Sequence, residues 1–148
     1  MQRRSTCTYD LAPGPGGSPG GDGGQDFVER LPWEVSRSIL ARLDPPSLCS
    51  AALTCRRWRL LIQACDLLWR GGCLEVRAVC QREVDRDRGD GLSWKVTLVR
   101  NYVVSLVKRD WLAGRYSHVG AAEELQGRRM CPLDAHTWGE ILEAELQR

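Results

Sequence analysis

The amino-acid sequence predicts a mainly α-helical protein, in which a three-helix unit precedes a small helical C-terminal region and follows a disordered Gly/Pro-rich N-terminus. Three observations lead to this fold class. Apolar residues recur at the three- and four-residue spacing of amphipathic helices. Proline and aspartate stand where such helices would begin and end. Glycine and proline are concentrated in one stretch near the N-terminus.

The N-terminal stretch is too poor in apolar residues to fold. Residues 12–26 carry seven of the fifteen glycines and three of the seven prolines. Such a composition cannot bury enough apolar area to offset the loss of backbone entropy. We therefore expect a disordered tail over 1–26, a three-helix domain over 27–73 and a C-terminal helical region over 74–148.

Charge and apolar patterning exclude several classes of protein. The net charge is only +2 over 148 residues. Residues 77–118 hold nine Lys or Arg and five acids, whereas residues 119–148 hold three and six. No apolar run approaches the roughly 18 residues of a membrane span, and the start of the chain lacks the apolar region of a secretory signal. We expect a protein of the cytoplasm, the nucleus or both, not secreted and not in a membrane, with its seven cysteines reduced.

Prolines and an aspartate within residues 32–65 mark where three short helices begin and end. The first begins at Pro32 and ends near Leu43, where Asp44-Pro45-Pro46 stops it and offers a start for the next. The second spans 47–54 and the third spans 56–65. The third carries a stripe at helical spacing, formed by Trp58, Leu61, Ile62 and Cys65. Gly71-Gly72 is predicted to break the chain after this unit.

The first helix has more apolar surface than one core requires. Leu31, Val35, Ile39 and Leu43 form one stripe, and Trp33 and Leu40 form another. Together they span about 200° of the helix, where about 100° would anchor it to a single core. A unit of this size also lies at the lower limit of what folds alone. We infer that half of the arc packs within the unit and that the other half faces a different protein.

Residues 31–70 are similar to the F-box family. The similarity covers about 40 residues without a gap and rests on Leu31-Pro32, Glu34, Ile39-Leu40, Leu43-Asp44, Leu48, Ala51, the cluster Cys55-Arg56-Arg57-Trp58-Arg59 and Leu68-Trp69-Arg70. Two positions depart from the family pattern. Trp33 stands where a polar or acidic residue is usual, and we expect it to be a half-exposed ring. Thr54 stands where Val is common.

The resemblance implies a function in ubiquitin transfer. F-box proteins dock on a Skp-type adaptor, which is held by a cullin scaffold with a RING subunit, and they link a protein substrate to this machinery for proteasomal degradation. By position, the adaptor-binding residues would be Leu31, Pro32, Val35, Ile39, Leu43 and Leu48. The core of the F-box would contain Leu40, Trp58, Ile62 and Trp69.

Periodicity alone leaves helix and strand open for residues 94–116, because the stripe Val96, Val99, Val103 and Leu106 is rich in β-branched residues. The resemblance favours a helix like the one that follows the F-box in relatives with WD-repeat propellers, with Gly114 as its C-cap. A possible substrate surface would comprise Trp94, Tyr102, Trp111 and Tyr116. A last helix, capped by Asp134, would pack through Ile141, Leu142 and Leu146.

Residues for catalysis are not indicated. His118 and His136 lack partners at metal-ligand or triad-like spacing, so we expect no catalytic residue, no metal and no cofactor. Cys55 is interpreted as a packed residue. The arginines leave one alternative, a small basic helical nucleic-acid-binding protein. Acidic residues between Arg82, Arg86 and Arg88 cancel most of their positive charge. We therefore expect residues 82–90 to form a solvated loop, and we expect no nucleic-acid partner.

Overall fold

A computed structural model describes residues 26–148, which form eight α-helices and no strand. The helices are α1 Phe27–Arg30, α2 Trp33–Leu40, α3 Pro45–Ala52, α4 Arg56–Ala64, α5 Arg70–Arg77, α6 Gln81–Gly89, α7 Trp94–Leu112 and α8 Ala135–Leu146, with 3-10 turns at Asp66–Trp69 and Ala122–Leu125. The predicted mainly α fold is confirmed. The tail predicted over residues 1–26 lies outside the described residues, except for Asp26, which caps α1.

The predicted three-helix unit corresponds to α2, α3 and α4. Helix α2 ends at Leu40, earlier than predicted, because the next residues form a turn in which Leu43 N donates to Leu40 O. Pro45 then occupies the first turn of α3, where its missing N–H costs nothing. Cys55 caps α4, since its Sγ accepts from the backbone N of Trp58 at 3.5 Å. Its side chain is exposed, so the interpretation of Cys55 as a packed residue is wrong.

The sequence predicted that Gly71 and Gly72 end the helical unit. This prediction is wrong, because both glycines lie within α5. The reason is a close helix contact. A Cβ at Gly72 would lie 3.1 Å from a methyl carbon of Leu98 and 3.0 Å from the ring of Pro45. The missing side chain therefore lets α5 approach both α3 and α7.

The predicted solvated loop over residues 82–90 is also wrong, because residues 81–89 form α6. Val84 and Asp87 turn inward from this helix. The Asp87 carboxylate accepts from Asn101 Nδ2 at 2.9 Å and pairs with Arg100 at 3.4 Å, so its burial is compensated. These contacts attach a strongly charged helix to α7.

One continuous core joins the three-helix unit to the C-terminal region. Its buried members come from both parts: Leu40, Leu48, Ala51, Ile62, Leu68, Trp69, Cys73, Val76, Cys80, Val84 and Leu98. The boundary predicted between 73 and 74 falls inside α5. The two regions therefore share their interior, and α5 belongs to both.

Helix α7 is the longest of the described helices and has an unusual inner side. Four of its six buried residues are polar: Thr97, Asn101, Ser105 and Lys108. Val96 and Val99, from the apolar stripe noted in the sequence, are instead exposed. The helix begins at Ser93, whose hydroxyl accepts from Val96 N, and Gly114 follows it with the positive φ of 77° expected at a C-cap.

Helix α8 packs on α7 through Ile141 and Thr137, which are buried. The predicted cap is confirmed, because Asp134 Oδ1 accepts from Thr137 N at 2.8 Å. Leu142 and Leu146 were predicted to pack on the middle segment, but 60% and 79% of their surfaces are exposed. The helix turns them to the side opposite Ile141.

Asp66 joins the 3-10 turn to the start of α7. Its carboxylate accepts from the backbone N of Trp94 at 2.9 Å and of Lys95 at 3.0 Å. We expect Asp66→Ala to lower the free energy of unfolding by about 1 to 2 kcal/mol, because a negatively charged N-terminal cap is lost. Urea unfolding followed by circular dichroism measures this loss. Asp90→Ala, at an exposed aspartate, is the control, and equal loss in both variants would contradict the assignment.

Cys80 makes stability depend on pH. Burial, reinforced by Glu83, raises the pKa of its thiol from 9.0 to about 12. Above about pH 9 the unfolded chain releases this proton while the folded chain retains it, so stability falls as pH rises, by at most about 1.4 kcal/mol per pH unit. We expect the urea midpoint to fall between about pH 8 and about pH 10.5, and less steeply in Cys80→Ala. An unchanged slope in Cys80→Ala would contradict this account.

Candidate protein-binding face

The two sides of α2 have different environments. Ser36 and Leu40, four residues apart, are buried at 0% and 1% exposure. Val35 and Ile39, each one position earlier, turn about 100° away and are exposed. Ser36 and Leu40 are therefore the residues that α2 turns to the interior, and Leu40 is the one that packs in the hydrophobic core.

The outer side forms a contiguous apolar surface. We call it the α2 face; its members are between 37% and 45% exposed and comprise Leu31, Val35, Ile39 and Leu43. Trp33 is 37% exposed but lies about 160° around the helix from Val35, so it stands outside this face. Large apolar side chains grouped on one side of a short helix are typical of protein interaction sites. The inference that half of the arc remains outside the core therefore agrees with the structure.

Helix α1 holds one end of this face in place. The indole Nε1 of Trp58 donates to both carboxylate oxygens of Asp26, at 2.8 and 2.9 Å. Asp26 also caps α1 by accepting from Val28 N at 3.0 Å. The Phe27 ring lies edge-on to Trp58, with 5.0 Å between centroids. These contacts fix the chain that leads into Leu31, whose N donates to Phe27 O.

The structure exposes five of the six predicted adaptor-binding residues: Leu31, Pro32, Val35, Ile39 and Leu43. Leu48 is the exception. It is 1% exposed and packs in the core, so it cannot contact a partner in this conformation. Its place at the centre of α3, on the side facing the other helices, is the reason.

The residues predicted for the core of the F-box lie inside. Leu40, Ile62 and Trp69 are buried. Trp58 is partly buried and packs against the same core while its ring nitrogen reaches Asp26. Trp58 thus links the core to the helix that precedes the α2 face.

The four aromatic residues predicted as a possible substrate surface mostly serve packing. Trp94 and Tyr102 pack partly buried against the core, and Arg88 stacks on Trp94 at 3.8 Å. Trp111 lies 4.7 Å from Tyr116 between ring centroids, and Tyr116 is 6% exposed. The large apolar residues that α8 exposes are Trp138, Leu142 and Leu146, none of which was predicted as substrate surface. The sequence predicted that Leu142 and Leu146 pack in the interior.

Charged side chains of the C-terminal region pair with one another. An open pocket of about 550 Å³ has Arg82, Lys108, His136 and Glu140 in its lining. Arg82 pairs with Asp134 at 2.9 Å, Lys108 pairs with Glu140, and His136 Nδ1 lies 3.6 Å from Glu140. Within residues 26–148 no three His, Cys, Asp or Glu side chains are grouped so as to hold a metal ion.

None of the described helices is both long and apolar enough to span a membrane. The described residues thus form a small all-helical module that carries an exposed apolar surface at α2.

Comparison with known proteins identifies the family. A family model described as F-box-like matches residues 28–75. F-box only protein 48 of mouse is 52% identical over 124 residues, which cover 84% of this chain and 77% of that protein. The human protein of the same name is 52% identical over 123 residues, covering 83% and 79%. The chain therefore belongs to the F-box family, and the resemblance seen in the sequence is confirmed.

More distant relatives match this chain over a small part of much longer chains. F-box/WD repeat-containing protein 7 of Drosophila melanogaster is 32% identical and covers 72% of this chain but only 9% of that protein. A protein of Aspergillus niger named as a probable E3 ubiquitin ligase complex SCF subunit is 48% identical over 48 residues, covering 32% of this chain and 7% of that protein. No solved structure matches the chain.

The hydrogen bonds of Asp26 to Trp58 and Val28 can be tested by substitution. We expect Asp26→Ala to lower the free energy of unfolding by about 1 to 2 kcal/mol, because it removes a cap and leaves the Trp58 indole without its acceptor. Glu29→Ala is the matched control, since it removes only the exposed ion pair with Arg57, worth less than about 1 kcal/mol. Urea unfolding compares the two, and an equal loss would contradict a special role for Asp26.

Proposed function

We propose that this chain is the F-box subunit of a cullin-RING ubiquitin ligase, which docks through the α2 face on a Skp-type adaptor and holds a protein substrate. The observation that carries the proposal is the exposure of Val35 and Ile39 on a helix already anchored by Ser36 and Leu40. Family membership supports it, as does the name of the Aspergillus relative as an SCF subunit.

Binding would follow the helix-in-groove mode of recognition. Val35 and Ile39 lie four residues apart on α2, and Leu31 and Leu43 flank its two ends, so the four offer exposed apolar anchors to one groove. Burial of one such side chain contributes roughly 1.5 to 3 kcal/mol. Two or three anchors therefore dominate the affinity, as in other interfaces where few residues carry most of the binding energy.

The mechanism is proximity, with the chemistry supplied by other subunits. A substrate held on this chain would keep a lysine near the charged ubiquitin-conjugating enzyme, which turns an encounter between two molecules into a reaction within one assembly. The shared core and α7 suit this role, because they join the α2 face rigidly to the C-terminal region. The complex would act in the cytoplasm, the nucleus or both.

Two substitutions on the α2 face test adaptor binding. We expect Val35→Asp and Ile39→Asp each to weaken binding to a purified Skp-type adaptor by at least about 100-fold, because each removes an anchor and buries a charge. Isothermal titration measures the affinity, and circular dichroism checks that the variants fold, as the exposure of both residues indicates.

Leu142→Asp is the matched control for this experiment. It places the same charge on an exposed apolar residue of α8 and should leave adaptor affinity within about threefold of wild type, since ΔΔG values at distant sites are independent. Folded Val35→Asp and Ile39→Asp variants that bind the adaptor as tightly as wild type would overturn the proposed function.

A further inference from the structure

A second apolar surface lies on α8. Trp138, Leu142 and Leu146 recur every four residues and are 43%, 60% and 79% exposed. Ala135 and Gly139 lie on the same side and are also exposed. We call these five residues the α8 face. At 1.5 Å of rise per residue, the three large side chains span about 12 Å, the length of two helical turns.

The opposite side of α8 attaches the helix to the rest of the protein. Ile141 and Thr137 are buried against the rest of the protein, and Glu140 pairs with Lys108 of α7. Near its end, Arg148 Nη1 donates to Ser117 Oγ at 3.0 Å and Nη2 to the backbone O of Leu112. The helix is thus anchored along its length, while Leu142 and Leu146 of the α8 face stay mostly exposed.

Trp138 is held in a fixed orientation. Its ring lies edge-on to Trp111, with 5.2 Å between centroids, and Trp111 in turn lies against the buried Tyr116. An oriented aromatic residue loses little conformational entropy on binding. Tryptophan is also the residue type most often found at the energetic centre of interfaces.

The edges of the α8 face are acidic. Glu143, on one edge, is exposed and forms no ion pair within the described residues. Glu145, on the other edge, is held by Arg148 and Ser117. A second copy packed antiparallel about Leu142 would bring the two Glu143 carboxylates onto the same edge, where like charges repel. Lysine or arginine in a partner would instead pair with Glu143.

We propose that the α8 face binds an amphipathic helix of another protein, with apolar residues at helical spacing and basic residues along its edges. The surface stands apart from the α2 face, so this proposal does not need adaptor binding. Only the further statement that this partner is the substrate of the ubiquitin ligase rests on the proposed function.

The test uses the full chain and two synthetic helical peptides of about five turns. Both carry leucines at three- and four-residue spacing. One has lysine along the edges of this stripe, and the other has glutamate. Fluorescence anisotropy should show the lysine peptide binding at least about 10-fold more tightly than the glutamate peptide, a difference that falls as salt rises.

Substitutions test whether the lysine peptide binds at the α8 face. Leu142→Asp should weaken binding of the lysine peptide at least about 10-fold. Glu143→Lys should narrow or reverse the preference between the peptides, because it changes only the charge on the edge. Val35→Asp is the matched control and should bind the lysine peptide like wild type, and circular dichroism establishes that each variant is folded.

Several outcomes would overturn the proposal. These are equal affinity for the two peptides, no affinity for either, or binding unchanged by Leu142→Asp. Sedimentation that shows a dimer abolished by Leu142→Asp would assign the face to a second copy. A large gain in peptide affinity after deletion of residues 1–25 would assign it to the chain's own N-terminal segment. Adaptor binding by Leu142→Asp is measured separately, so failure here and failure of the proposed function are distinguishable.

Discussion

The close packing of α5 on α7 is the contact on which the remaining architecture depends. Gly72 leaves room for Leu98, whose side chain completes a core that begins with Leu40 and Ile62. A three-helix unit of this size lies at the lower limit of what is stable alone. With Leu98 and Val84 supplied from the C-terminal region, the unit no longer needs the outer side of α2. That side is consequently left available for a partner.

The distribution of polar and apolar residues over the helices differs from that of a self-sufficient small domain. Helix α7 buries Thr97, Asn101, Ser105 and Lys108, and Asp87 is satisfied by Asn101 and Arg100. Large apolar side chains are exposed on α2 and α8 instead. Two of the polar residues of α7 pair across helices, Asn101 with Asp87 of α6 and Lys108 with Glu140 of α8. Such paired groups add little net stability, but their geometry fixes how helices meet. The interior therefore sets the arrangement of the helices, and apolar surface remains for binding.

Helix α7 connects the two surfaces proposed for binding, the α2 face and the α8 face. Helix α7 spans 19 residues, or about 28 Å at 1.5 Å per residue. It contacts the F-box core through Leu98 and α8 through the ion pair of Lys108 with Glu140. A partner on the α8 face would thus be kept in a defined position relative to one on the α2 face. Proximity accelerates a reaction most when the geometry is fixed in this way.

The sequence by itself determined the helical class, the three helices of the F-box, the excess of apolar surface on α2, and the caps at Asp134 and Gly114. These features depend on short-range spacing and on single residues with strong local preferences. Tertiary structure alone decided that Gly72 belongs inside a helix, that residues 81–89 are helical, that Leu48 is buried and that Leu142 is not. Each of these outcomes depends on what lies across a helix contact, such as Leu98 against Gly72 or Asn101 against Asp87. Local pattern carries no information about a neighbour that is distant along the chain, and packing against that neighbour overrides intrinsic propensity.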